Sequence, residues 1–340
     1  MPDFLLYYAI KANPHPSILE LLAQKGSYFD TASVPEIEMV LQSGATADRI
    51  SYGNTIKKEK DIAKAYSLGV RLFAVDCFEE IEKISRVAPG SEVFCRILTD
   101  GEGAQWPLSR KFGCAPSMAI EVLRYAYKCK LKPVGISFHV GSQQVNLRAW
   151  DKAISAAAEI FNKLALEGIS LDLLNLGGGF PARYLKEVPP ICAYAESIQQ
   201  AIKENFRDKK LRIIIEPGRG LVAEAGVLYS EIVLVSKKEA DDPVRWVYLD
   251  SGKFNGLIET LHESIRYALI VQDREGPTGP CILAGPTCDS EDVLYEKEKY
   301  YLPLSLQIGD KIFVCGAGAY TSTYASIAFN GFSPLDVYIF

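Results

Sequence analysis

Residues 6–33 read LYYAIKANPHPSILELLAQKGSYFDTAS, and their succession of apolar run, turn, amphipathic run and second apolar run decides the fold. LYYAI suits a buried strand over Leu5–Lys11, and the Ala-Asn-Pro after Lys11 marks its exit into a turn. PSILELLAQKG spaces apolar residues at i, i+3 and i+4, as an amphipathic helix requires. A second strand follows over Tyr28–Ser33, so the stretch is a βαβ unit with parallel strands. Lys11 is its odd residue. A lysine at a strand exit either buries its stem and leaves its ammonium in water, or stands there for chemistry.

The theme repeats over the first two thirds of the chain. Further strands are predicted at Ile50–Asn54, Leu72–Asp76, Val93–Leu98, Gly135–Gly141, Leu173–Phe180 and Ile213–Gly218. Amphipathic runs such as WDKAISAAAEIFNKLALEG lie between them, this one ending in Gly168 as a C-cap. Strands alternating with helices build a parallel sheet, and eight such units closing on themselves make a (β/α)8 barrel over residues 1–225. Beyond it VLYSEIVLVSKK, RWVYLDSG, CILAGP, DKIFVCGAG and DVYIF are β-rich with little helix. A second, mostly antiparallel β domain is therefore expected over residues 226–340. Apart from the βα periodicity, neither an internal repeat nor a low-complexity segment is present.

Bulk properties narrow the function. The 340 residues are 48% hydrophobic and 23% charged, with a net charge of −5, as in an ordinary soluble globular protein. Without a Lys/Arg block, nucleic acid is not an expected partner. No apolar run reaches the roughly 18 residues of a membrane span, so no membrane role is expected. The eight cysteines form no CxxC pair, which speaks against a zinc cluster or a secreted disulfide scaffold and fits a reducing cytoplasm. No metal site is expected.

Barrel enzymes build their sites at the carboxyl ends of the strands. Those ends carry Lys11, Asp30, Asn54, Asp76, Arg96, His139, the triplet Gly177-Gly178-Gly179 and Glu216. Glycines at a strand-to-helix turn let backbone N–H groups approach a phosphate, and they also serve a plain tight turn. In SFHVGSQ, His139 sits at a strand end with Ser142 just beyond. EPGRG sets Glu216 and Arg219 around a turn, where they serve either one small ligand or a structural ion pair. An amine able to form an imine, a phosphate cradle, a flat imidazole and a carboxylate together describe a site for pyridoxal 5′-phosphate (PLP).

YYAIKANP, FDTAS, SYGNTIKK, WPLSRKFG, SFHVGSQ, NLGGGFP, EPGRG, GPTCDSED, GAYT and FNGF follow one another along the chain. In these motifs it closely resembles the PLP-dependent decarboxylases of fold type III, the alanine-racemase-like barrels, and within them the ornithine/lysine decarboxylase group. The resemblance implies decarboxylation of L-ornithine or L-lysine to putrescine or cadaverine, in polyamine biosynthesis. It also implies that Lys11 carries PLP, that His139 stacks on the pyridine ring and that Glu216 pairs with the ring nitrogen. Asp30 would lie near the imine. Ser142, Gly178, Gly179, Arg219 and the Tyr320 hydroxyl would hold the phosphate. In the homodimer implied by the resemblance, active sites are shared between subunits. Cys288 would protonate the carbon that loses CO2, and Asp289 would bind the distal ammonium of the amino-acid substrate, with Tyr320 nearby. A Lys111–Asp292 ion pair would cross the dimer interface.

The chain departs from the family in two places. The family has an N-terminal segment before the first barrel strand that contributes to the β domain. This sequence begins almost inside that strand, so either it is a piece of a longer chain or a strand of the second domain is missing and a sheet edge exposed. In IETLHESIRY, His262 stands where the group has an acidic residue for the distal amine, and the neighbouring Glu263 is the alternative partner. Two other readings remain: a diaminopimelate decarboxylase-like enzyme, whose motif resembles Cys-Glu-Ser at Cys288-Asp289-Ser290, and a non-catalytic regulatory paralogue. Such paralogues lose the PLP lysine or the phosphate contacts, which are kept here. Alanine racemases resemble one another in having arginine at the ring nitrogen, against Glu216 here.

Overall fold

A computed structural model describes residues 4–106, 111–207 and 209–340. Residues 107–110 of the WPLSRKFG motif lie outside the described residues. The chain divides into two compact units, Met1–Pro181 with Pro189–Gly218, and Ala182–Val188 with Arg219–Phe340. The sequence places the change near residue 225. The earlier break at Arg219 arises because residues 219–226 bond within the second unit, Gly318 N–H to Ala223 O and Ala317 N–H to Gly226 O.

The first unit is a closed parallel barrel of eight strands. They are β1 (Phe4–Ala9), β2 (Tyr28–Thr31), β3 (Ile50–Tyr52), β4 (Leu72–Val75), β5 (Glu92–Arg96), β6 (Lys132–Ser137), β7 (Leu173–Asn175) and β8 (Arg212–Ile215). Seven longer helices connect them: α1 (Pro16–Gln24), α2 (Val34–Gln42), α3 (Glu59–Ser67), α4 (Phe78–Val87), α5 (Pro116–Lys128), α6 (Asp151–Ala165) and α7 (Ile191–Phe206). Pro16 and Pro116 open α1 and α5, where a missing N–H costs no helical bond. Inside the barrel Tyr7, Leu72, Ala74, Phe94, Val134, Leu173 and Ile214 pack together, all nearly excluded from solvent. This is the filled interior that makes such a barrel a core rather than a pore.

Lys57 of the SYGNTIKK motif belongs to this scaffold. Its buried ammonium lies 3.0 Å from Glu80 and donates to Asn54 O and Ala74 O, both at 2.7 Å. Burial pulls its pKa down to about 8 against the opposing charge of Glu80. The motif thus pins the end of β4 to the loop after β3.

The second unit holds a six-stranded sheet in the order β11-β14-β9-β10-β12-β13. Its strands are β9 (Val227–Ser236), β10 (Arg245–Leu249), β11 (Ala268–Val271), β12 (Thr278–Ala284), β13 (Val293–Pro303) and β14 (Lys311–Cys315). All pairs are antiparallel except β10 with β12, so the mostly antiparallel expectation holds. Ile232, Val247, Leu249, Leu283, Leu294, Ile312 and Val314 lie in its core. Among the described residues no helix is long and apolar enough to cross a membrane.

Phe94 is 1% exposed within the barrel. Phe94→Ala is expected to destabilise the chain by about 3–5 kcal/mol, through lost transfer energy and a residual cavity. Urea unfolding checks this, and a loss below ~1 kcal/mol would contradict the packing described.

Candidate active site

Strand register gathers the first three groups. β1 pairs in parallel with β8 on one side, Leu6 opposite Ile215, and with β2 on the other, Ala9 opposite Asp30. Ala9 N–H also donates to Pro217 O. Parallel strands all end on one rim, so Lys11, Asp30 and Glu216 share the carboxyl-terminal rim of adjacent strands. Lys11 is not itself in the strand. β1 stops at Ala9, and a single 3-10 turn over Ile10–Ala12 follows, closed by Asn13 N–H to Ile10 O and by Tyr8 OH to Asn13 O. The turn leaves the Lys11 side chain exposed at the rim.

The rim is electrostatically tight. Burial, then the charge of Glu216, pushes the Asp30 carboxyl well above the usual carboxylate range, while Lys11 opposes the shift. A Cβ on Gly53 would fall 1.9 Å from Asp30 Oδ1, so this carboxyl is packed directly against backbone. Burial pulls the His139 imidazole well below its ordinary value, and the cations Arg96 and Lys11 add to the effect. His139 is therefore neutral. Its Nδ1 accepts from Gly141 N–H at 3.0 Å, which leaves the proton on Nε2.

Glu216 is held rather than merely placed. Asn175 Nδ2 donates to its Oε1 at 2.5 Å, and Asn175 Oδ1 accepts from Gly177 N–H at 2.9 Å. One buried carboxamide thus ties the Glu216 carboxylate to the glycine turn. Gly177 and Gly179 have φ of +65° and +103°. Added Cβ atoms on Gly177, Gly178 and Gly179 would meet Phe138 O at 2.1 Å, Glu216 O at 2.6 Å and Gly141 O at 2.5 Å. The Gly178 Cβ would also stand 3.1 Å from His139 Nε2. Trp150 braces this turn from below through its Nε1–H to Leu176 O and its stacking on Phe180. Gln144 N–H to Gly179 O carries the Ser142 strand against it.

These groups fit PLP. An accessible amine, a fixed carboxylate, a neutral ring and a backbone cradle in which no side chain fits are the donor set that its aldehyde, pyridine and phosphate require.

The remaining candidates belong to the second unit. Arg219 is buried against Glu259 and Tyr184, and its guanidinium lies 4.9 Å from the ring centre of Tyr320. Cys288 is exposed, with its N–H and Sγ both directed to Asn330 Oδ1 at 3.2 and 3.5 Å. Asp289 accepts from Glu291 N–H. Asp292 is 2% exposed, and its carboxylate accepts from Lys253 N–H, Thr287 N–H and Thr287 OH. In the chain alone it anchors the Cys288–Asp289 loop, whereas the resemblance implies an ion pair with Lys111.

His262 and Glu263 separate cleanly. Both have left-handed backbone, at φ 57° and 58°, and His262 is exposed. Glu263 instead takes backbone N–H groups of Glu296, Lys297 and Glu298 at 2.5–3.1 Å and pairs with Arg266 at 3.0 Å. These bonds hold its carboxyl below the usual range in spite of burial. That corrects the expectation of Glu263 as an alternative amine partner: its carboxylate is saturated by β13 and Arg266.

Three residues at the rim carry more than the sequence suggested. Glu36 lies where the charge of Lys11 acts on it, and burial raises its pKa. Ser33 caps α2 by accepting from Glu36 N–H, and the Glu36 carboxylate accepts from Ala32 N–H, so local bonds account for a residue that also feels the charge of Lys11. Asn175 is a polar residue at the end of an apolar strand, a signal that was available. Arg96, visible as a strand end, faces Glu216, Asp30 and Asp76 electrostatically.

Comparison with known proteins follows the same lines. Residues 1–223 match the family "Pyridoxal-dependent decarboxylase, pyridoxal binding domain". The lysine/ornithine decarboxylase of Selenomonas ruminantium is 34% identical over 341 residues, spanning 100% of this chain and 84% of that protein. The crystal structure of a Vibrio vulnificus lysine/ornithine decarboxylase complexed with cadaverine superposes with a TM-score of 0.87 at 32% identity, over 98% of this chain and 87% of that one. The arginine decarboxylase of Paramecium bursaria Chlorella virus, bound to agmatine, gives a TM-score of 0.90 at 30% identity, over 99% and 91%. A pyridoxal-binding domain over residues 1–223, in a chain that follows decarboxylases along nearly its full length, places the chain in the pyridoxal-dependent decarboxylase family, as a carboxy-lyase of fold type III.

Proposed function

We propose that the chain decarboxylates L-ornithine or L-lysine, releasing putrescine or cadaverine. The observation that carries this reading is the shared rim of Lys11, Asp30, His139 and Glu216. The basic substrate is supported by relatives named for ornithine and lysine, and by Asp289 as a carboxylate for a distal ammonium.

PLP, when bound, supplies an electron sink for the pair left as CO2 departs. The Lys11 amine, exposed at the rim, would hold the cofactor's aldehyde. Glu216, fixed by Asn175, keeps a proton on the ring nitrogen, and neutral His139 offers a flat apolar face without adding charge beside it. Asp30, whose carboxyl burial and the charge of Glu216 push well above the usual carboxylate range, would limit the negative charge beside Lys11. The N–H groups of Gly178 and Gly179, the Ser142 hydroxyl, Arg219 and the Tyr320 hydroxyl hold the phosphate. Cys288 Sγ would supply the proton for the carbon that loses CO2. The exposure of Cys288 in the single chain suits a homodimer in which this residue and Asp289 serve the partner's active site. His262, not Glu263, faces the distal end of the substrate.

The purified protein with PLP is expected to release CO2 from carboxyl-labelled ornithine or lysine; turnover of neither would remove the substrate assignment. Lys11→Ala is expected to abolish the borohydride-sensitive imine absorbance together with turnover. If that band persists, another amine holds the cofactor. His262→Asp supplies a charge for the distal ammonium, and aspartate tolerates the left-handed backbone there. It is expected to raise kcat/KM for the preferred diamino acid by roughly tenfold, the scale of one charge-assisted hydrogen bond. Steady-state kinetics decide this, and an unchanged KM would place His262 away from the substrate.

A further inference from the structure

Cys95 and Cys114 stand 19 positions apart in sequence, and the barrel brings their sulfurs to 3.6 Å. Cys95 lies in β5 and is fully buried, whereas Cys114 is 6% exposed. Backbone bonds fix the approach. Cys114 N–H donates to Arg96 O at 3.0 Å and Leu98 N–H to Cys114 O at 2.9 Å, so the returning chain runs parallel to the end of β5 with Cys114 opposite Ile97. Residues two apart on a strand share a face, which puts Cys95 on the side of Ile97 and Cys114. Gly113, at φ +90°, lets the chain come this close, since a Cβ there would meet Ile97 C at 2.9 Å. Its N–H donates to Asp76 Oδ2 at 2.9 Å. The Cys114 thiol also lies 3.6 Å from Arg96 O. The two thiols differ in character. The bond from Cys95 holds the Cys114 thiol below its ordinary range in spite of burial, while the same bond, then burial, pushes Cys95 well above its own. The more accessible sulfur is thus also the readier thiolate, and its neighbour keeps the proton. The proposed decarboxylation calls on neither.

We propose that Cys95 and Cys114 form a redox site at which a hydroperoxide installs a disulfide that braces the end of β5. The Cys114 sulfur attacks the peroxide's terminal oxygen, the O–O bond breaks, and the departing oxygen takes up a proton to leave as water or an alcohol. Cys114 is then a sulfenic acid. The Cys95 thiol gives up its proton, and its sulfur displaces the hydroxyl, which leaves as water. Two thiols thereby pass two electrons and two protons to one hydroperoxide, and a dithiol reductant reverses the bond. The sulfurs close from 3.6 Å to about 2 Å. The ring so formed contains Arg96, the last residue of β5.

The test exposes the folded, full-length protein to hydrogen peroxide, blocks the remaining thiols with iodoacetamide and maps its peptides without reduction. A peptide joining Cys95 to Cys114 is expected, and dithiothreitol is expected to abolish it. Cys95→Ala is expected to leave Cys114 as a sulfenic acid that dimedone traps, and Cys114→Ala to leave Cys95 unmodified. Oxidation of the exposed Cys192 and Cys288 alone, with Cys95 and Cys114 still open to alkylation after unfolding, would overturn the proposal. So would Cys95 joined instead to Cys77, the other thiol whose charge it feels. Both results are read on the wild type, so they stand even where a variant fails to fold. The brace is read from the thermal midpoint, which oxidation is expected to raise by roughly 5 °C in the wild type and not in Cys114→Ala. A midpoint that falls or stays put in crosslinked protein would overturn the brace.

Discussion

A parallel sheet that closes on itself must bring its first strand beside its last, and the rest of the rim follows from that closure. β1 lies against β8 through the Leu6–Ile215 register and the Ala9 N–H to Pro217 O bond. Lys11 and Glu216, from opposite ends of the barrel sequence, become neighbours on one rim without any direct bond being needed to recruit them. Backbone hydrogen bonds set this geometry, so the side chains are left to chemistry. The same closure explains why every strand contributes its carboxyl end and none its amino end.

With so many ionisable groups converging, burial rather than pairing sets their state. Asp30 is driven toward its neutral form because a second carboxylate, Glu216, is nearby and water is scarce. His139 is driven neutral for the complementary reason, with Arg96 and Lys11 as its charged neighbours. The outcome is a division between chemically similar groups: one carboxyl is pushed toward its neutral form, while the other is anchored by the Asn175 amide. Environment has assigned the roles that residue type leaves open.

Much of this was legible in the sequence, and the reason is periodicity. All eight barrel strands coincide with apolar runs, and Lys11, Asp30, His139 and Glu216 stand just where those runs stop. Ends were less legible. The Leu5–Lys11 strand halts at Ala9 because a 3-10 turn intervenes, and Leu173–Phe180 shortens to Leu173–Asn175 because three glycines leave the sheet to form the cradle. Side-chain destinations were the least legible. Nothing in IETLHESIRY reveals that Glu259 turns to Arg219 and Glu263 to the backbone of β13, since those partners lie tens of residues away and depend on how strands fold back. Glu36 was masked by its own local logic, because its place in the first turn of α2 behind the Ser33 cap accounts for it.

The turn that presents His262 has a consequence for how this protein can change over generations. On either side of that residue a carboxylate is tied down, Glu259 by the guanidinium of Arg219 and Glu263 by three successive N–H groups. Between these two moorings, the imidazole itself is exposed and bears none of the fold's weight. Position 262 is thus insulated: a one-residue exchange there alters the chemistry on offer while the backbone beneath it stays as it is. With its two carboxylate neighbours fixed and its own side chain exposed, this is a place at which drift and selection can explore new side chains at little structural risk.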